Sequence, residues 1–356
     1  MTGPDGDGAA SPSGGPGGSA GVRGSAGPVT PGGLRAGDRV AVVAPSGPVD
    51  AGRLGAGVAW LRGLGLEVTL GAHVHDRRGF LAGDDAARAA DLQDAWCDPD
   101  VSAVLCARGG YGAVRVLGHL DWTALAAAGP KLLHGSSDIT ALHAAFGARL
   151  GAATSFGPMV AGLLADPDPA TAASARGALC GAPAPVTGGH ALVPGRVAGP
   201  LTGGNLSLLV SLLATPYAPP PARGRVVLLE DVTEAPYRID RMLTQLLLAG
   251  WFDGAAGVAL GSWTDCGDPG ELYGVLAERL GGLGVPVAAG LPIGHGAPQH
   301  TVMLGAEAVL DADSGTLTPA GHGAAGSGPP APAAATAAAT ATADPVDQEP
   351  GGTPCR

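Results

Sequence analysis

The sequence predicts an α/β fold: a doubly wound parallel sheet domain followed by a smaller C-terminal α/β domain with a mixed sheet. Three observations carry this expectation. Between residues 39 and 150, short continuous apolar runs alternate with Ala/Leu-rich stretches of helical length, the pattern of strands buried on both faces and joined by covering helices. A Pro/Gly-rich stretch, GAPAPVTGGHALVPGRVAGP over 181–200, then changes the texture, and a second set of strand and helix patterns follows. Finally, 46% of the 356 residues are hydrophobic, ample for a core of that size.

In the first half the strand candidates are RVAVVAP (39–45), LEVTLG (66–71), VSAVLCA (101–107) and KLLHG (131–135). Helices are expected between them over 51–64, 84–97, 111–119 and 138–150. In the second half NLSLLVSLLA reads as a helix, GRVVLLEDV (224–232) as a strand, RIDRMLTQLLLAG (238–250) as a helix and GVALGSW (257–263) as a strand. The alternating segment EAVLDADSGTLT turns at Asp313-Ser314-Gly315 and predicts a hairpin. The expected domains are therefore 36–180 and 198–322, with 181–197 as the linker.

Both ends read as unstructured tails. Residues 1–35 are rich in Gly, Pro and Ser, and residues 323–356 contain APAAATAAATATADP; neither has an apolar face able to offset the entropy of ordering. The net charge of −11, with 31 acidic against 20 basic residues and no Lys/Arg run, argues against nucleic acid as a partner. With no apolar stretch near the ~20 residues of a membrane span and no secretory leader pattern, the expectation is a cytoplasmic protein without a membrane partner. The five cysteines are scattered and form no CxxC or Cys/His cluster, so neither a metal nor another cofactor is expected.

In open parallel sheets, ligands bind beyond the carboxyl ends of the strands. Three loops of the first half fit: Ala44 to Pro48, Arg108-Gly109-Gly110-Tyr111-Gly112, and His134-Gly135-Ser136-Ser137-Asp138. The third places a serine on a sharp turn at a helix N-terminus, where backbone N–H groups point outward. Ser137 can be a nucleophile there; Ser137 or Asp138 can equally cap the helix. The glycines of the second loop allow a ligand close to the backbone, and they also make ordinary turns. A serine nucleophile needs a base and an orienting carboxylate. His295, between glycines in LPIGHG, is the accessible histidine, with His134 and His119 as rivals. Glu230, closing the apolar run VVLLE, is the rigidly held acid, with Asp231 and Glu234 as alternatives.

The ordered set RVAVVAPSGP, ARGGYGAVRVL, GSSDITALH, GPLTGGNLSLLVSLLATPY, LLEDVTEAPYRIDRMLTQL and LPIGHG closely resembles the L,D-carboxypeptidase family of serine peptidases, which includes immunity proteins that inactivate microcin C-type antibiotics. The resemblance covers about residues 36–322. It implies a flavodoxin-like N-terminal domain, a smaller C-terminal domain and a homodimer. It also implies Ser137 as nucleophile, Glu230 as triad carboxylate and His295 as base. The implied substrate is a murein tetrapeptide, from which terminal D-alanine is removed in cell-wall recycling. On this reading the backbone N–H groups of Asp138 and Gly110 form the oxyanion hole, and Arg108, Gly109 and Tyr111 contact substrate. Arg108 could hold the terminal carboxylate or make a structural ion pair. An immunity-type amidase cleaving aminoacyl-nucleotide analogues is the alternative, with Trp263 as a possible base platform. A non-catalytic small-molecule or peptide binder is the alternative from another class. The chain departs from the family pattern at Ser136, where an aromatic residue is usual, at Phe156, where histidine is usual, and at Gln299 and Met303, which replace Asn and Pro.

Overall fold

The structure, a computed structural model, describes residues 32–320; the expected tails over 1–35 and 323–356 lie outside the described residues apart from 32–35. Leu34 belongs to the packed chain: it is buried in the first core, and its N–H donates to Leu179 O.

The first lobe is built from β1 (Arg39–Val43), α1 (Ala51–Gly63), β2 (Glu67–Leu70), α2 (Asp85–Cys97), β3 (Val101–Cys106), α3 (Ala113–Val116), α4 (Trp122–Ala127), β4 (Leu132–Gly135), α5 (Thr140–Leu150), β5 (Thr154–Phe156) and α6 (Pro169–Leu179). The apolar runs of β1, β3 and β4 are buried almost throughout because helices cover both faces of the sheet. In α1, Leu54, Val58 and Leu61 recur at helical spacing and turn inward, and Asp50 caps the first turn by accepting from Arg53 N–H at 2.8 Å. Strand order is β2-β1-β3-β4-β5, all parallel, which is the flavodoxin-like order. This order brings the loops after β1, β3 and β4 to one edge.

The second lobe contains β6 (His190–Val193), β7 (Arg196–Asn205), α7 (Leu206–Ser211), β8 (Val226–Val232), α8 (Pro236–Leu248), β9 (Gly257–Thr264), α9 (Pro269–Gly281) and β10 (Val287–Ala289). After it come β11 (Val302–Leu304), β12 (Glu307–Asp311) and β13 (Thr316–Pro319). Its sheet has the order β13-β12-β7-β8-β9-β10-β6, with β7 to β10 parallel and the other three antiparallel to their neighbours. It is the mixed sheet that was expected, and β12–β13 is the hairpin turning at 313–315. On α8, Ile239, Leu243 and Leu246 are fully buried, each contributing roughly 1.5–3 kcal/mol by leaving water.

Three expectations need correction. The segment 181–197 is not a bare linker: Val186 is buried, and β6 forms an edge of the second sheet. The helix expected over 111–119 is a short α3 followed by a 3-10 turn, Leu117–His119, and that over 138–150 starts as a 3-10 turn, Ser137–Ile139. Finally, β11 lies beyond the expected domain boundary yet adds to the first sheet, antiparallel to β5. The chain therefore returns to the first lobe after building most of the second.

Candidate active site

β4 delivers the chain to the site edge. Ser136 is extended, and Ser137 then adopts φ 59°, a left-handed conformation that costs a non-glycine residue about 1–2 kcal/mol. The surroundings hold this turn. Gly135 O accepts from Gly157 N–H at 3.0 Å and lies 2.9 Å from His143 Nε2. Asp138, 2% exposed, accepts from Ser46 Oγ at 2.6 Å and from Ala113 N–H at 2.7 Å. Its carboxylate thus ties the first loop and the end of the second to the turn. Burial pushes its pKa up, against the pull of these hydrogen bonds and the Arg88 charge. No side chain caps the start of this helix, so the capping role open to Ser137 and Asp138 is not the one they play.

The glycine loop closes over Ser137. A Cβ on Gly109 would lie 3.0 Å from Ser137 Cβ and 3.1 Å from its Oγ, so a side chain here would push Ser137 by a few tenths of an ångström. Gly109 O accepts from Gly47 N–H at 3.0 Å. The buried Arg88 guanidinium donates to Pro45 O and Gly112 O, bracing the same two loops, and pairs with Asp85. Arg108 makes no ion pair among the described residues: its Nη1 donates to Pro48 O at 2.7 Å. Tyr111 is 55% exposed, with its ring edge-on to Phe80 at 5.5 Å.

The second lobe supplies an acid and a histidine. Glu230 ends the apolar run of β8 and is itself 0% exposed; its Oε2 is 2.6 Å from His295 Nδ1. Gly294 has φ 125°, and a Cβ there would meet Glu230 Oε2 at 2.6 Å, so the glycine before His295 is required by the pair. Ser262, on β9, holds the same loop by accepting from the N–H groups of His295 at 2.8 Å and Gly296 at 3.1 Å. Burial works to lower the His295 pKa, but the Glu230 hydrogen bond and charge, helped by Asp231, hold it above the ordinary value.

The rivals have other employment. His134 is fully buried between Ser155 Oγ and Pro158 O, and desolvation pushes its pKa down to about 4. His119 is exposed in the turn after α3. Asp231 accepts from Asn205 Nδ2 and from the N–H groups of Ser207 and Val232, and Glu234 pairs with Arg238 at 3.6 Å. Trp263 is half-buried and packs against the second core.

The lobes meet beside these groups. Gln299 Nε2 donates to Ser136 Oγ at 3.3 Å, Gln299 N–H to Thr171 Oγ1 at 2.9 Å, and Asn205 N–H to Thr140 Oγ1 at 3.0 Å. Ser137 and His295 are not joined by a hydrogen bond among the described residues. Ser46, Ser262 and Arg88 were missed as site residues. A polar residue at the carboxyl end of a parallel strand, as Ser46 and Ser262 are, was the available signal. A serine on a strained turn under a glycine loop, and a carboxylate-bound imidazole on a loop hydrogen-bonded to the preceding residue, are groups suited to nucleophilic acyl transfer. Among the described residues, no group of three or more His, Cys, Asp or Glu is placed to hold a metal.

Comparison with known proteins agrees with this chemistry. The model for the LD-carboxypeptidase N-terminal domain matches residues 40–157, and that for the LD-carboxypeptidase C-terminal domain matches residues 198–310. A putative carboxypeptidase of Streptomyces coelicolor is 54% identical over 297 residues, covering 82% of this chain and 96% of that protein. The murein tetrapeptide carboxypeptidase of Pseudomonas aeruginosa is 37% identical over 289 residues, covering 77% and 93%. The crystal structure of muramoyltetrapeptide carboxypeptidase from Oxalobacter formigenes superposes with a TM-score of 0.70 at 29% identity, covering 78% of this chain and 97% of that one. The chain therefore belongs to the LD-carboxypeptidase family of serine peptidases.

Proposed function

We propose that the protein is an L,D-carboxypeptidase that removes the terminal D-alanine from murein tetrapeptide, a cytoplasmic step of cell-wall recycling. The single observation that carries this reading is the pairing of buried Glu230 with the partly accessible His295, 2.6 Å between Oε2 and Nδ1, the histidine on a loop hydrogen-bonded to the residue next to Ser137. In this mechanism Ser137 Oγ attacks the amide carbonyl on the L-configured side of the bond and passes its proton to His295 Nε2. Glu230 fixes the tautomer by accepting from Nδ1 and stabilises the imidazolium. The N–H groups of Gly110 and Asp138 stabilise the oxyanion, each donor supplying roughly 3 kcal/mol. The imidazolium then protonates the leaving amine, D-alanine departs, and water activated by His295 hydrolyses the acyl-enzyme. On this reading Gly109 and Tyr111 contact the substrate, and Arg108 holds its terminal carboxylate. The working form on this reading is a homodimer.

The test is incubation of the parent and Ser137→Ala with murein tetrapeptide and, separately, with an aminoacyl-sulfamoyl adenylate, with products followed by mass spectrometry. Tripeptide and D-alanine from the parent alone are expected. Cleavage of the adenylate in place of the peptide assigns the chain to the immunity-type branch. No turnover of either, with Ser137→Ala indistinguishable from the parent, overturns the enzymatic reading in favour of a binding protein.

A further inference from the structure

The loop carrying His295 is anchored to different lobes at its two ends. Its start is held by the second lobe, where Ser262 Oγ accepts from His295 and Gly296 N–H. Its far end is held by the first lobe: Gln299 N–H donates to Thr171 Oγ1, and Thr301 N–H donates to Ser174 Oγ at 2.9 Å, both acceptors on α6. Between these anchors, the Gln299 side chain reaches Ser136 Oγ, one residue before the proposed nucleophile and 163 positions away in sequence. Ser136 is 5% exposed and Gln299 3%. A buried amide that loses such a partner keeps its desolvation cost, so the contact is specific rather than incidental. In sequence, Ser136 and Gln299 are two separate departures from the family pattern. In the structure they are one contact.

On the basis of the proposed triad, we infer that Ser136 and Gln299 are a positioning pair, tying the nucleophile turn to the histidine loop and setting the separation of Ser137 Oγ and His295 Nε2. Neither side chain exchanges a proton with substrate. The pair acts through Ser137 and His295, which sit on different lobes and share no other side chain to side chain hydrogen bond between their two loops among the described residues. An aromatic side chain at position 136 would need the space that Gln299 fills, so the two positions are coupled by volume as well as by hydrogen bonding.

The experiment is a double-mutant cycle of Ser136→Ala and Gln299→Met, the latter keeping volume while removing the amide. The readouts are kcat and KM on murein tetrapeptide, the rate of Ser137 labelling by a fluorophosphonate, and the urea denaturation midpoint. Each single variant is expected to lose roughly 10- to 100-fold in kcat, the cost of a small misplacement of reacting groups. KM should stay within about threefold, since binding is untouched. Labelling should slow in parallel, and the double variant should be no worse than the poorer single one. As a rescue, Ser136→Tyr combined with Gln299→Asn should recover activity that Ser136→Tyr alone loses. A lowered midpoint with unchanged kcat reduces the pair to a structural contact and overturns the inference, as do multiplicative losses in the double variant. If the parent labels at Ser137 but does not cleave murein tetrapeptide, the substrate reading fails while the labelling cycle still decides on the pair. If the parent neither cleaves nor labels, both readings fall.

Discussion

Replacing Glu230 with Gln isolates the electrostatic part of the proposed triad, because the amide is nearly isosteric with the carboxylate and the position is fully buried. The Glu230–His295 contact is 2.6 Å, which sets the two charge centres about 4 Å apart once His295 takes the nucleophile's proton; at an effective dielectric near 20 this is worth about 4 kcal/mol. That energy appears only when the imidazolium forms, so it lowers the barrier rather than the ground state. At 1.36 kcal/mol per decade, kcat should fall roughly 10³-fold with KM little changed. The pH profile gives a second readout. Burial lowers the His295 pKa, yet Glu230, with help from Asp231, raises it above 6.5; since the base works as neutral imidazole, the acid limb of kcat/KM in the parent lies above that pH. Glu230→Gln removes both contributions from Glu230, so the limb should move to lower pH while the plateau drops. Stopped assays across pH 5 to 9, with circular dichroism to verify folding, provide the measurement. A variant whose plateau falls less than tenfold, or whose acid limb stays where it was, would refute the assignment of Glu230 as the partner that charges His295.

Other predictions follow from the same geometry. Gly109→Ala places a methyl 3.0 Å from Ser137 Cβ; it should slow acylation at least tenfold, read by fluorophosphonate labelling, while costing about 1–3 kcal/mol in urea denaturation through local overpacking. Gly294→Ala meets both a φ of 125° and Glu230 Oε2, so it should lose activity and destabilise the fold by several kcal/mol. Leu243→Ala, in the second core, should cost about 2–5 kcal/mol in urea denaturation with kcat of the folded enzyme retained. Desolvation, reinforced by the Glu230 charge, pushes the Asp231 pKa from 3.8 up to about 6. It therefore binds its proton more tightly when folded, favours folding below pH 3.8, and loses that contribution as pH rises to about 6. The stability advantage of the parent over Asp231→Asn should accordingly be larger at pH 4 than at pH 7, and the opposite trend would contradict the burial argument.

How far the sequence could be read depended on whether the determinant was local. The central strands β1, β3, β8 and β9 announce themselves because a strand buried on both faces must be a continuous apolar run. β7, by contrast, reads RVAGPLTGGN, where one proline and three glycines oppose strand propensity. Its strand conformation comes from pairing with β8 on one side and β12 on the other, and Gly203 leaves no room for a side chain against Leu228 O. The three-residue β11 is too short to show a period, and its membership of the first sheet depends on a partner, β5, far earlier in the chain.

The same distinction separates the parts of the site. A glycine-flanked histidine and an acid closing a buried strand are local patterns, so His295 and Glu230 could be named, but the choice against His134 and Asp231 could not be made from spacing. It turns on partners: His134 has both ring nitrogens engaged by Ser155 and Pro158 inside the first lobe, whereas His295 spends only Nδ1 on Glu230 and remains partly accessible. The strain at Ser137 is equally nonlocal. Nothing in GSSD dictates a positive φ for serine; the residue that follows, Asp138, helps hold the turn by reaching Ser46 and Ala113. The turn of the proposed nucleophile is thus held by a neighbouring carboxylate and two other loops. A substitution at Ser46 or Asp138 should therefore disturb Ser137 labelling more than it disturbs substrate affinity, because it acts on the geometry of attack rather than on the surface that binds.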